Sequence, residues 1–383
     1  MAISPLVLIV EDRPDGPSAR IREYLAAKSD ISVELLHPAE ITESVLRKAD
    51  VVVVDYRLDN WEERAAQTSI SLQPWNGVSL AAVLRSLLAP EEIGNDLAAF
   101  CLLTQHPEDL SGSSSYERRP QVLARSKDLD WVFSKEKPRD VGRQLVALAR
   151  AVQNVKALTT GSQQTAQSIV AQALDLALTG NASEEAAWLS VERCQPPIVE
   201  IGEWRVPMSL IRWFLHRVLP YTGFLLDHLH LAVQLRVTPE SLRVCLEGES
   251  QLTRVLDSCS YSGILHDFGG HRWWRATIDS MLWEKRGGGQ ASIERFREQL
   301  LEESAGTLVF LNIQEPVVCL NEKLEASDVQ ELADTVKLNP DDWPSYALAP
   351  RALVDVVKAS PRLKLLTASE DLELLELDSG KGV

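Results

Sequence analysis

Short apolar runs alternate with amphipathic stretches over the first 155 positions. The runs cover residues 6–10, 31–36, 51–54, 100–103 and 131–133. All but 31–36 are almost wholly apolar, as strands buried on both faces of a parallel sheet require. Between them, apolar residues three or four apart predict helices over 18–27, 41–48, 77–88, 119–126 and 139–155. Pro138 sits where a first helical turn tolerates its missing N–H. Strictly alternating β and α signals predict an α/β domain, a five-stranded, parallel, doubly wound sheet.

The texture changes after Val155. Thr159-Thr160-Gly161-Ser162-Gln163-Gln164-Thr165 is small, polar and uncharged, and reads as a connection. From about 169 to 300 the apolar spacing is mostly helical, and seven of the ten tryptophans lie beyond the connection, which calls for a real core or interface there. From Thr307 onward the pattern predicts a small α+β section: a strand over 308–311, a helix over 326–336, and a β-like pair at 363–366 and 372–377. The expected division is 1–157, a helical tryptophan-rich region over 158–305, and the α+β section over 306–383.

Charge narrows the function. Lys and Arg number 39 against 55 Asp and Glu, a net −16, which argues against non-specific affinity for nucleic acid or anionic lipid. No apolar run approaches the ~20 residues that cross a bilayer, and no charged-then-apolar leader opens the chain, so a cytoplasmic protein is expected. Cys101, Cys194, Cys245, Cys259 and Cys319 are scattered without a paired motif and are expected to be reduced thiols.

Ligands of an open parallel sheet bind outside the carboxyl ends of its strands. The residues directly after the runs are Glu11 and Asp12, Asp55, Thr104, and Ser134 with Lys135. Three carboxylates converging on one volume repel unless a hard cation lies among them, and Mg²⁺ is the natural candidate. A carboxylate so placed can attack an activated phosphoryl group, with the metal and an ammonium neutralising the transferring oxygens.

Val7-Leu8-Ile9-Val10-Glu11-Asp12, Val53-Val54-Asp55, Gly77-Val78-Ser79-Leu80, Leu103-Thr104 and Ser134-Lys135 resemble the receiver domain of two-component response regulators over residues 4–155. The resemblance implies a flavodoxin-like fold and phosphorylation of Asp55 by a histidine kinase or phosphotransfer protein. It implies Mg²⁺ held by Glu11, Asp12 and Asp55, and phosphoryl contacts from Thr104 and Lys135. Two stretches depart from the family's pattern, 59–75 and 105–116, both long for loops at the rim. Val132, flanked by Trp131 and Phe133, stands where the family's aromatic switch residue is expected. Lys137, which precedes Pro138, competes with Lys135 for the lysine role; Lys135 is preferred because it directly follows the apolar run.

Beyond residue 158 two features carry chemistry. Residues 229–242 are similar to a helix-turn-helix, with Thr238 as N-cap and Pro239 in the first turn. Its second helix offers Glu240, Arg243, Glu247 and Glu249 where base readout favours Arg, Lys, Asn or Gln. Residues 259–275 concentrate Cys259, His266 and His271, a candidate thiolate–imidazole pair, and Arg272, Trp273, Trp274 and Arg275, a candidate output interface or core. The expectation is a signalling protein whose receiver-like domain passes its state to a protein-interaction output, through a homodimer or a protein partner, with nucleic acid and membrane disfavoured. The competing readings are a DNA-binding regulator using 228–246, a receiver-controlled output enzyme, and a receiver-shaped docking module that works without phosphate.

Overall fold

Five short runs, four of them buried, pair side by side in the computed structural model. It describes all residues except 1–3, 14, 17, 62–73, 89–97, 112–117, 161–163, 205, 289–291 and 378–383. The strands are β1 (Leu6–Val10), β2 (Ser32–Leu36), β3 (Val51–Asp55), β4 (Ala99–Thr104) and β5 (Trp131–Ser134), all parallel in the order β2-β1-β3-β4-β5. Chain order reverses between β1 and β3, so a crevice is expected at their carboxyl ends. This is the predicted doubly wound, flavodoxin-like architecture.

Helices cover both faces, as parallel strands require. The helices are α1 (Ser18–Ala26), α2 (Glu43–Leu46), α3 (Gly77–Leu88), α4 (Glu108–Ser111), α5 (Pro120–Ser126) and α6 (Pro138–Thr159). One face packs Leu8, Val10, Val52, Val54, Phe100, Leu102 and Val132 against Leu80 and Leu84 of α3 and Leu123 of α5. On the other face α1 and α6 lie against each other, with α6 touching β1, β3 and β4.

The chain forms two compact units that interleave in sequence. The first comprises Met1–Ala177, Gln195–Pro220 and Ser262–Gly270. Beyond the sheet it holds α7 (Ala166–Ala173), α9 (Ile198–Gly202), α10 (Met208–Trp213) and a π-helical turn, Phe214–Val218. The second comprises Leu178–Cys194, Tyr221–Tyr261 and His271–Val383. Residues 158–177, 195–220 and 262–270, assigned from the sequence to a separate output region, thus group with the parallel sheet.

The second unit contains α8 (Ala182–Arg193), β6 (Leu225–Leu226), α11 (His228–Leu235), α12 (Pro239–Glu247), α13 (Gln251–Ser258), β7 (Trp273–Trp274), α14 (Arg275–Lys285) and α15 (Ile293–Glu303). Leu231, Leu235, Leu242, Leu256, Trp273, Ile278 and Phe296 share its larger core. After them come β8 (Pro316–Leu320), β9 (Ala326–Glu331), β10 (Thr335–Lys337), β11 (Arg351–Leu353), α16 (Val354–Ala359), α17 (Pro361–Leu366) and α18 (Leu372–Leu377). Strands β8 and β9 pair antiparallel, as do β10 and β11.

The α+β character of this end is as predicted, but the four elements expected in it are not. Residues 308–311 form no strand: Phe310 makes one isolated bridge, to Val237. The helix expected over 326–336 is instead strand β9, a 3-10 turn over Leu332–Asp334 and the start of β10; the hairpin turn before β9 is held by the Asn321 side chain accepting from the Lys323 and Glu325 amides rather than by a glycine. Residues 361–366 and 372–377 are helices. Ser360 caps the first by accepting from the Leu363 N–H, with Pro361 in its first turn.

Candidate functional site

The register brings the acidic residues together. Val10 pairs with Val54, so Glu11 and Asp55 leave adjacent strands at the same level, and Leu103 pairs with Asp55, placing Thr104 one step further along β4. The Lys135 N–H donates to the Thr104 carbonyl at 2.9 Å, carrying the β4–β5 ladder one residue past the strand. Glu11, Asp12, Asp55, Thr104 and Lys135 are each at most 9% exposed.

Lys135 Nζ lies 2.9 Å from Asp55 Oδ1 and 3.3 Å from Glu11 Oε1. Lys137 is exposed, at the start of α6. Burial pushes the Asp55 carboxyl up from 3.8 to about 6. The charge and hydrogen bond of Lys135 oppose that rise, and the neighbouring Glu11 and Asp12 add to it. Asp55 is therefore mostly ionised at neutral pH, in a site that tolerates its protonation just below.

Gly77 is required where α3 begins. A Cβ there would stand 2.1 Å from the Asp55 carbonyl oxygen and 2.9 Å from Leu102 Cδ1. The loop after β3 also closes on the site. The Asn60 N–H donates to Asp12 Oδ2 at 2.6 Å, the Arg13 guanidinium donates to the Asn60 side-chain oxygen, and Arg57 pairs with Asp109 at 2.8 Å. Buried Leu58 and Trp61 anchor this loop. Of the two long stretches noted from the sequence, 59–75 falls largely outside the described residues, at 62–73, whereas 105–116 is described up to Ser111, where it forms α4. Thr104 Oγ1 accepts from the His106 N–H at 3.0 Å.

The donor set suits a hard divalent cation. It is all carboxylate, and the buried Glu11 Oε2 has no hydrogen-bond partner. The arrangement is nonetheless closed around Lys135, and among the described residues no group of three or more His, Cys, Asp or Glu side chains is arranged to hold a metal.

Sequence reasoning missed a polar node at the β5 edge. Asp130, fully buried, accepts from the Phe100 N–H at 2.6 Å and from Arg212 Nε of α10 at 2.7 Å. Its carbonyl lies 2.8 Å from His216 Nε2 in the π-helical turn. Burial holds the His216 imidazole below its usual range, against the pull of Asp130. No local pattern could single out Asp130, since Phe100 lies 30 residues away and Arg212 and His216 more than 80.

The remaining candidates take other roles. Trp273 and Trp274 are buried and paired with β6, so they form core rather than a presented interface. Arg272 reaches Asp227 at 3.4 Å, and Arg275 reaches Asp279 on α14 at 3.7 Å. Burial pushes the Cys259 thiol up, against a hydrogen bond with Ser258, the opposite of an activated nucleophile. His271 Nε2 lies 2.8 Å from Ser260 Oγ. His266 belongs to the first unit, where it lies near the Gly263 carbonyl and Asp267. The helix-turn-helix-like segment does form α11 and α12, with Arg236 in the left-handed region at φ 60° and Thr238 accepting from the Ser241 N–H. Yet Arg243, the one base on the exposed face of α12, is clasped at 2.6 Å by both Glu240 and Glu247. Among the described residues no helix is long and apolar enough to cross a membrane.

No family model matches the chain, and no curated protein matches it. Among solved structures it is similar to the RcsB response regulator of Salmonella typhimurium, at 13% identity over 49% of this chain and 91% of that one, with a TM-score of 0.26. It is also similar to the response regulator ChrA of a heme-sensing two-component system, at 14% identity over 78% of this chain and 100% of that one, with a TM-score of 0.25. At scores this low the reading rests on the sheet and rim of the chain itself.

Proposed function

We propose that the protein is a response-regulator-like signalling protein that accepts a phosphoryl group on Asp55. One observation carries the reading: the Lys135 ammonium lies 2.9 Å from a buried Asp55 carboxylate at the carboxyl end of a central strand, beside Glu11 and Asp12 at the sheet's switch point.

In the transfer an Asp55 carboxylate oxygen attacks phosphorus. The O–P bond forms as the bond from phosphorus to the donor breaks, and the donor keeps the electron pair. The ionised form is the nucleophile, which favours reaction above about pH 6. Lys135 neutralises charge on the transferred oxygens, and Glu11, Asp12 and Asp55 would hold Mg²⁺, which supplies further neutralisation when bound. The donor would be a histidine kinase or phosphotransfer protein. The output would be contact with a protein rather than with nucleic acid, in keeping with the acidic chain.

A second reading is a docking module that works without phosphate. The Asn60 amide's hold on Asp12 favours it, because that carboxylate is already engaged. Intact mass after incubation with an acyl phosphate and Mg²⁺ separates the two. A phosphoryl adduct that disappears in Asp55→Asn supports the phosphoacceptor reading, and its absence from the unaltered protein leaves the docking module.

A further inference from the structure

The β5 edge of the sheet is occupied by distant parts of the same chain. The backbone of residues 262–270 returns to the first unit, where Ser262 Oγ donates to Asp175 at 2.5 Å and the Ile264 N–H donates to the Ala173 carbonyl at 2.8 Å. Its end is pinned by Phe268, a fully buried side chain whose ring meets Trp131 edge-on at 5.1 Å and Phe133 at 6.2 Å. From Asp130, the residue before β5, contacts run to Arg212 and His216. Helix α10 and the π-helical turn are thereby held at the same edge.

This placement links the strap to the phosphoryl site through one strand. Alternation puts Trp131, Phe133 and Lys135 on a single face of β5. Phe268 therefore packs on the side chain two residues from the lysine that bridges Asp55 and Glu11. A phosphoryl group carries about −2 charge at neutral pH and three acceptor oxygens, and draws an adjacent ammonium toward itself. A pull on Lys135 acts on the short strand that forms Phe268's seat.

We propose that residues 262–270 are a strap that latches onto the β5 face through Phe268 in the unphosphorylated protein and loosens when Asp55 is phosphorylated. The inference rests on the phosphoacceptor reading. It adds that the face is read in cis by this strap, whose chain continues at His271 into the second unit, rather than by a second copy of the protein.

The test is hydrogen–deuterium exchange on the full chain before and after treatment with an acyl phosphate and Mg²⁺, with intact mass read on the same sample. Asp55 gains the phosphoryl group as the acyl group leaves as a carboxylate. With the adduct present, exchange at the Ile264 and Phe268 amides should rise about tenfold, since local opening governs exchange, and Asp55→Asn should abolish the rise. Phe268→Ala should raise exchange there without phosphate while keeping the adduct, and Phe268→Leu serves if the alanine variant fails to fold. An adduct with unchanged exchange at 262–270, or basal exchange unmoved by the Phe268 variants, overturns the strap alone. No adduct on the unaltered protein overturns the phosphoacceptor reading and the strap with it.

Discussion

Lys135 and Asp55 meet across two strands, Nζ to Oδ1 at 2.9 Å, and the same ammonium reaches Glu11 Oε1 at 3.3 Å. One cation thus compensates two carboxylates in a site nearly closed to solvent. Removing it while leaving the acids strands buried charge, which costs about 3–5 kcal/mol for a broken buried pair. Lys135→Gln should lose stability of that order by urea denaturation near neutral pH, and added Mg²⁺ should restore part of it. A loss untouched by Mg²⁺ argues against a metal role for the acidic residues.

The Asp55 carboxyl, raised from 3.8 to about 6, gives a pH signature. The folded chain holds this proton more tightly than the unfolded chain does. Its contribution to stability is therefore full below about pH 4 and is lost as pH rises through about 6. Asp55→Asn has no charge to bury, so in chelator its stability relative to the parent should rise between about pH 4 and pH 7.5, by at most about 3 kcal/mol. A difference flat with pH would contradict the burial of an ionisable Asp55.

Gly77 stands where no side chain fits, its would-be Cβ 2.1 Å from the Asp55 carbonyl oxygen. Gly77→Ala should cost about 2–3 kcal/mol through forced overpacking and shift the start of α3. Because that shift moves the Asp55 backbone, phosphorylation by an acyl phosphate should slow as well, which intact mass against time would measure.

On α12, Glu240 and Glu247 flank and clasp Arg243. Fluorescence anisotropy with a labelled random duplex at low ionic strength should show no binding, since the cation that α12 offers is already compensated. Retention of duplex under those conditions would restore the DNA-binding alternative.

All five cysteines are buried, and burial pushes the thiols of Cys101, Cys259 and Cys319 up. A disulfide reagent should therefore react slowly with the native protein and rapidly once it is unfolded. Fast reaction of one native thiol that Cys259→Ala removes would revive an output enzyme built on that residue.

Four of the five parallel strands were legible in the sequence because a strand buried on both faces must be apolar at nearly every position, which leaves unbroken runs such as Val51–Val54, and the edge strand β2 followed from the alternation of β and α signals. The acidic rim was legible too, since topology alone sends residues that follow strands to one edge. Tertiary structure decided the rest. It chose Asn60 as Asp12's partner, placed Asp130 among Phe100, Arg212 and His216, and seated Phe268 on β5. It also turned residues 326–331 into a strand, paired antiparallel with Pro316–Leu320 across a turn that the Asn321 side chain holds without a glycine to signal it. Sequence determines an element when its own periodicity must match its burial; it cannot determine contacts whose free energy comes from residues a hundred positions away.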